Sequence, residues 1–337
     1  MTPLLTISEL RSTVRETPVP ARIFAQATEV LRRDSANGKP YFELKLRDSG
    51  DALLLRAWND TPAFQACEKL AQGTPIEVSG EFQVNGQFGL EGRRWTLRAL
   101  KEEESESLFS AAQSNTVASM EYVTAQIESL SDPRLKALSE AFLREFGPRF
   151  GRASAARAHH HARRGGLLDH TAQMLRAAEA ICATYPSLNR DLLLAGTLFH
   201  DTGKLWETCP PERGFEIPRD LRGELLGHIT IGIELINSLW RSLPLEEWKE
   251  LSPPSETVRL HLLHLVAAHH GQLEFGSPVE PKTPEAIALN AIDNLDAKLE
   301  MLFQAAASQP EVAPGILDRI RPLNINPVLP LPKFEAS

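Results

Sequence analysis

The chain carries an ordered relay of histidines and aspartates: His170, then His200 and Asp201, then His228, His269, His270 and Asp293. Imidazole nitrogens and carboxylate oxygens without a thiolate among them suit a divalent first-row metal such as Mn2+, Fe2+, Co2+, Ni2+ or Zn2+. Such ions make water nucleophilic near neutral pH, and hydrolysis of a phosphate ester is the chemistry that fits best. A lone histidine on an apolar helix face is usually a satisfied core residue, but several aligned ones are not explained that way.

The elements that must position these groups are helical. His170 shares a stripe with Met174, Ala177 and Ile181, and His228 shares one with Ile231, Leu235 and Leu239, so each points where its helix faces the core. Asp293 follows Leu289 and precedes Asp296 on one face, where an ionised carboxylate is costly unless paired or metal-bound. Residues Leu192 to Phe199 are apolar all round, the pattern of a buried helix, and run directly into His200, Asp201, Thr202, Gly203 and Lys204. Gly203 is expected to let that helix stop.

HDTGK after a buried helix, preceded by GGLLDHT and followed by GHITIG, AAHHGQLEFGSP and AIDNLDAK, resembles the HD phosphohydrolase superfamily and, within it, the YhaM type of 3′-5′ exoribonuclease. The resemblance implies that His170, His200, Asp201 and Asp293 hold one metal ion. It also implies that His228 and one of His269 or His270 bring a second, with Asp201 bridging. Mn2+ is the first expectation for both. Lys204 would touch the scissile phosphate, and Asp201 and Lys204 are the expected catalytic pair. Two ions about 3.5 to 4 Å apart can clamp the attacking and leaving oxygens of an in-line displacement.

Upstream, from about Pro18 to Leu100, the pattern changes to short strands. Phe42, Leu44 and Leu46 alternate with Tyr41, Glu43, Lys45 and Arg47, and Asn-Gly pairs at Asn37 and Asn85 mark hairpin turns. Ala52 to Trp58, Ile76 to Val84, Gln87 to Leu90 and Trp95 to Leu100 read as further strands, with one helix over Thr61 to Leu70. Strands interrupted by one helix predict an OB-fold β-barrel. Such folds bind single strands by stacking bases on aromatics and pairing phosphates with cations, for which Tyr41, Arg56, Trp58, Phe88, Arg94 and Trp95 are the candidates. A basic stretch of Arg152, Arg157, Arg163 and Arg164 with His159 to His161 precedes the first metal histidine, and His160, His161 and Arg164 are expected at the nucleic acid.

The fold class expected is therefore α+β in two domains: an OB-fold over 1–101, a linker with leading helices over 102–150, an all-α HD domain over 151–308 and a proline-rich tail over 309–337. Residues 101 to 114 read as an acidic, serine-rich linker entry, the stretches 220 to 227 and 243 to 254 as connections, and the tail as extended or disordered. Thr283, Pro284 and Glu285 mark a helix start.

A length of 337 residues suits two domains with cores of their own. A net charge of −8 argues against coating nucleic acid by bulk electrostatics. The three cysteines suggest neither a disulfide framework nor a thiolate metal site. A cytoplasmic protein without a membrane segment is expected, its partner single-stranded RNA or DNA, with a homo-oligomer left open. The function expected is metal-dependent 3′-5′ hydrolysis of a single strand to 5′-mononucleotides. Two rivals are a phosphohydrolase of a small nucleotide and a nucleic-acid-binding protein with a structural metal domain.

Overall fold

A computed structural model describes residues 2–15, 17–49, 51–85, 89–114, 116–156, 163–309, 311–321 and 323–334. In its N-terminal lobe the elements run β1 (Leu4–Leu5), α1 (Ile7–Thr13), β2 (Val19–Asp34), β3 (Pro40–Arg47), β4 (Ala52–Trp58), α2 (Pro62–Cys67), β5 (Pro75–Asn85) and β6 (Gly89–Ala99). The alternation read in β3 holds: Phe42, Leu44 and Leu46 are buried, while their neighbours face outward. β2 is long because it serves two antiparallel partners, pairing with β5 through its first half and with β3 through its second. A bulge between Ala27 and Glu29 interrupts the β2–β3 ladder.

The strand order is β4-β3-β2-β5-β6, with β1 parallel to β2. Among the described residues β4 and β6 approach but share no ladder, so the sheet is open where a closed barrel is expected. The helix α2, in the β4–β5 connection, packs against both β4 and β6 at that gap. β6 is continuous where two short strands are expected, because Arg94 adopts φ 48° at a register shift and lets the ladder resume. Trp95 is 4% exposed and belongs to the core, so it offers no face to a base. A Cβ added at Gly80 or Gly92 would lie 2.6 or 2.7 Å from its side chain, so the indole is seated against bare backbone.

The second part contains α3 (Glu102–Ser114), α4 (Val117–Glu128), α5 (Pro133–Phe150), α6 (Gly166–Thr184), α7 (Arg190–Phe199), α8 (Lys204–Glu207), α9 (Leu221–Arg241), α10 (Ser255–Ala268) and α11 (Pro284–Ser308). Every residue from Leu192 to Phe199 in α7 is buried, as its composition requires, with α4, α5, α6, α10 and α11 packed around it. Gly196 permits the approach of α10, since a Cβ there would lie 2.3 Å from Leu265 Cδ2. Thr283 caps α11 through its hydroxyl, which accepts from the Ala286 N–H at 3.2 Å, with Pro284 next.

Three expected connections are more ordered than their composition suggests. The acidic stretch is the helix α3: Glu102, Glu103 and Glu104 fall in its first turn, where negative charge complements the helix dipole. Leu108 and Phe109 of α3 bury against Phe215, with Phe24 and Leu100 beside them. α9 already begins at Leu221 and breaks at Gly227, at φ 69°, immediately before His228. The tail forms β7 (Glu311–Ala313) and β8 (Ile316–Leu317), and Leu317 and Ile320 bury against Ala305 of α11.

The segment between α8 and α9 ties the lobes together. The side-chain oxygen of Gln26 in β2 accepts from the Phe215 N–H at 2.7 Å, and Gln72 donates to Glu216 at 3.0 Å. Trp95→Ala is expected to destabilise the chain by about 3–5 kcal/mol, as removal of a core aromatic does. Trp58→Ala, which alters a 41% exposed residue, should cost far less. Urea unfolding of the two variants checks the contrast.

Candidate metal centre

The histidines of the relay come together from four helices, and each has one ring nitrogen tied to an oxygen. His170 Nδ1 lies 2.6 Å from Asp296 Oδ2, and His228 Nδ1 lies 3.2 Å from Glu207 Oε2. His200, His269 and His270 direct Nδ1 to the carbonyl oxygens of Thr197, Val266 and Phe275 at 2.8, 2.7 and 2.7 Å. Such acceptors require Nδ1 to carry the proton, which leaves an Nε2 lone pair on each neutral ring. Metal-binding histidines are commonly oriented in this way.

Asp201 stands where the Nε2 atoms converge. Its Oδ2 lies 3.3 Å from His200 Nε2 and 3.9 Å from His170 Nε2; its Oδ1 lies 3.5 Å from His228 Nε2 and 3.6 Å from His269 Nε2. Asp293 Oδ1 completes the first side, 3.4 Å from His170 Nε2. Among the described residues two clusters have ligand atoms close enough to share an ion: His170, His200 and Asp201, and His228, His269 and His270. The two carboxylate oxygens of Asp201 thus face different clusters, the geometry a bridging ligand needs. Both His269 and His270 belong to the second cluster, so the choice between them left open by the sequence is one of degree: His269 is fully buried and His270 is partly exposed.

The donor set at the centre suits a cation. Asp201 Oδ1, His228 Nε2 and His269 Nε2 are buried without a hydrogen-bond partner among the described residues, an arrangement that costs free energy unless a ligand satisfies it. Burial pushes the Asp201 carboxyl up, but Lys204 and His200 outweigh it and hold the group well below the usual carboxylate range. Asp293 is held down likewise, its burial overcome by His170 and His200. Burial also opposes charge on His170, yet Asp293 and Asp296 lift it to about 9. At His269 and His270 burial prevails and keeps the rings neutral at pH 7.

Lys204, the first residue of α8, places Nζ 2.6 Å from Asp201 Oδ2. Gly203 has a different role from the stop expected of it. Its φ of −63° is ordinary and the chain continues into α8, but a Cβ there would lie 1.9 Å from the His228 carbonyl oxygen. The bare backbone is what lets His228 reach Asp201. The cluster opens on a cleft of about 940 Å³ lined by Lys204, Glu207, His228, His269, His270 and Asp293, with Phe275 and Ile287 also on its wall.

The residues expected at nucleic acid divide. Tyr41 and Trp58 are opposite each other on β3 and β4, with ring centroids 4.8 Å apart, and Arg56 shares their sheet face. Arg94 is exposed. Trp95 is core, as described above. Arg164 is 4% exposed and donates to the carbonyl oxygens of Pro211, Glu212 and Gly214, all at 2.7 or 2.8 Å. It clamps the interlobe segment and is not free to meet a phosphate. Phe88, His160 and His161 lie outside the described residues. Sequence reasoning passed over Asp296 and Glu207 as partners of the histidines. The signal for Asp296 was its place three residues after Asp293 on one helical face; Glu207 had none.

Comparison with known proteins identifies the class. The HD domain family matches residues 167–298, which contain every residue of the cluster. A second family, described as a putative helicase (TraI_2), matches residues 100–187. Over 275 residues the chain is 33% identical to the 3′-5′ exoribonuclease YhaM of Bacillus velezensis, covering 80% of this chain and 82% of that protein. The chain belongs to the YhaM family of HD-domain proteins. No helix among the described residues is long and apolar enough to cross a membrane.

Two outcomes follow from this geometry. Metal uptake through His170 Nε2 must displace a proton held up to about 9, so binding at pH 7 should release a proton, and affinity should rise with pH until about 9. Calorimetric titration with Mn2+ in buffers of different ionisation enthalpy measures this. Gly203→Ala should force His228 away and weaken uptake at the second cluster, by roughly the 10–100-fold that misorienting a ligand costs. Mn2+ titration followed by electron paramagnetic resonance would show it.

Proposed function

We propose that this protein is a metal-dependent 3′-5′ exoribonuclease that shortens single-stranded RNA to 5′-mononucleotides. The observation that carries this reading is the convergence of Nε2 atoms from separate helices on the two oxygens of one buried aspartate. In this reading His170, His200, Asp201 and Asp293 would hold one divalent ion, and His228, His269 and His270 would hold a second beside Asp201. Mn2+ is the first choice among the first-row metals. Metal bound there would supply an activated water and stabilise charge on the phosphate oxygens.

The chain's own residues supply the rest. Asp296 and Glu207 fix the rings of His170 and His228 so that Nε2 faces inward. Lys204 carries a mobile positive charge at the cleft, which suits a non-bridging phosphate oxygen in the transition state. A cleft walled by helices accepts a flexible end more readily than a duplex interior. The N-terminal lobe, residues 1–101, captures the strand in the manner of an OB-fold. Its strand order, with a helix between β4 and β5, supports that description, and Tyr41, Arg56 and Trp58 form the platform, with Arg94 available to phosphate. Residues 151–308 carry the hydrolysis, and the protein works in the cytoplasm.

RNA labelled at its 5′ end should shorten in a ladder with Mn2+ and stall at base-paired structure. Asp201→Ala should reduce turnover to background while RNA binding persists. Mid-chain cuts, or free nucleotides consumed with RNA left intact, would contradict the proposal.

A further inference from the structure

We propose that Phe275 is the shelf on which the base of the terminal nucleotide stacks within the cleft. The inference rests on the exoribonuclease reading and assigns a binding role to a residue outside the metal cluster. Phe275 ends a single 3-10 turn, Leu273–Phe275, and is 64% exposed on the cleft wall. Ile287 of α11, 60% exposed, lines the same cleft, so the two give an apolar surface to a site otherwise rich in charge. Among the described residues no aromatic ring or cation packs on the Phe275 ring.

The position of the ring is fixed to the proposed metal ligands through the backbone. The carbonyl oxygen of Phe275 accepts from His270 Nδ1 at 2.7 Å, so the residue that orients one imidazole also lines the cleft. The turn is closed by the Phe275 N–H to the Gln272 carbonyl at 3.1 Å and the Gly276 N–H to the Leu273 carbonyl at 3.0 Å. Gly276, at φ 93°, makes the reversal that a residue with a Cβ would resist. A phosphodiester held at the imidazoles would therefore carry its nucleoside beside a preset aromatic face. Every base has a π-face, so stacking grips an end without reading its sequence, which suits an enzyme that must accept each nucleotide in turn.

Two RNAs that differ only in the 3′-terminal residue, one with its base and one abasic, test the shelf through single-turnover KM for the first cleavage. The wild type should favour the base-bearing end by about 5- to 150-fold, the range of one stacked base. Phe275→Ala and Phe275→Leu should erase the difference and Phe275→Trp should keep it, with Mn2+ content and circular dichroism reporting an intact centre and fold. The leucine variant retains apolar bulk, so its failure to discriminate assigns the effect to the aromatic face. Equal KM for the two RNAs in the wild type, or a preference that survives Phe275→Leu, overturns the shelf. Failure of the wild type to shorten either RNA overturns the exoribonuclease reading instead.

Discussion

The buried carboxylate of Asp201 is the constraint around which the catalytic half is arranged. A charge at that depth is tolerated only when its surroundings compensate it, and five elements converge to do so. Lys204 neutralises one oxygen, and imidazoles from α6, the end of α7, α9 and the end of α10 surround both. Replacing Asp201 by an apolar residue would leave the helices packed but remove the reason for their polar centre. The apolar helix α7 delivers His200 and Asp201 from the middle of the bundle, where neighbours on every side hold the pair still.

Around that point the structure uses two kinds of support. Hydrogen bonds fix the rings: carboxylates of Asp296 and Glu207 for two histidines, backbone carbonyls for the other three. Missing side chains allow the approach: Gly203 under the His228 carbonyl, and Gly196 under Leu265, which brings α10 and its terminal histidines inward. The interlobe segment then links this centre to the N-terminal sheet through Phe215, Gln26 and Arg164.

Much of the centre was legible because its chemistry forces a pattern. Histidines and aspartates placed on apolar stripes are costly, so their helical phase announced both their burial and their convergence, and α7 was readable from composition alone. Glu207 was not, since one acid in an exposed-looking turn resembles any other. Trp95 and Arg164 misled for a shared reason: an aromatic or a cation suits a nucleic-acid surface and a core equally, and only the packing of Trp95 on Gly80 and Gly92, or the carbonyls around Arg164, decides between them. The acidic stretch became the helix α3 because Leu108 and Phe109 find Phe215, a contact over a hundred residues away that local composition does not encode. The open edge between β4 and β6 is likewise a tertiary outcome.

The central claim, that Asp201 bridges two ions held by Nε2 atoms, is tested most directly by anomalous diffraction at the manganese edge from crystals grown with Mn2+. The account predicts two peaks about 3.5 to 4 Å apart. One should lie among His170, His200 and Asp293 and the other among His228, His269 and His270, with Asp201 touching both. A single peak, two peaks that do not share Asp201, or ligation through Nδ1 would contradict it.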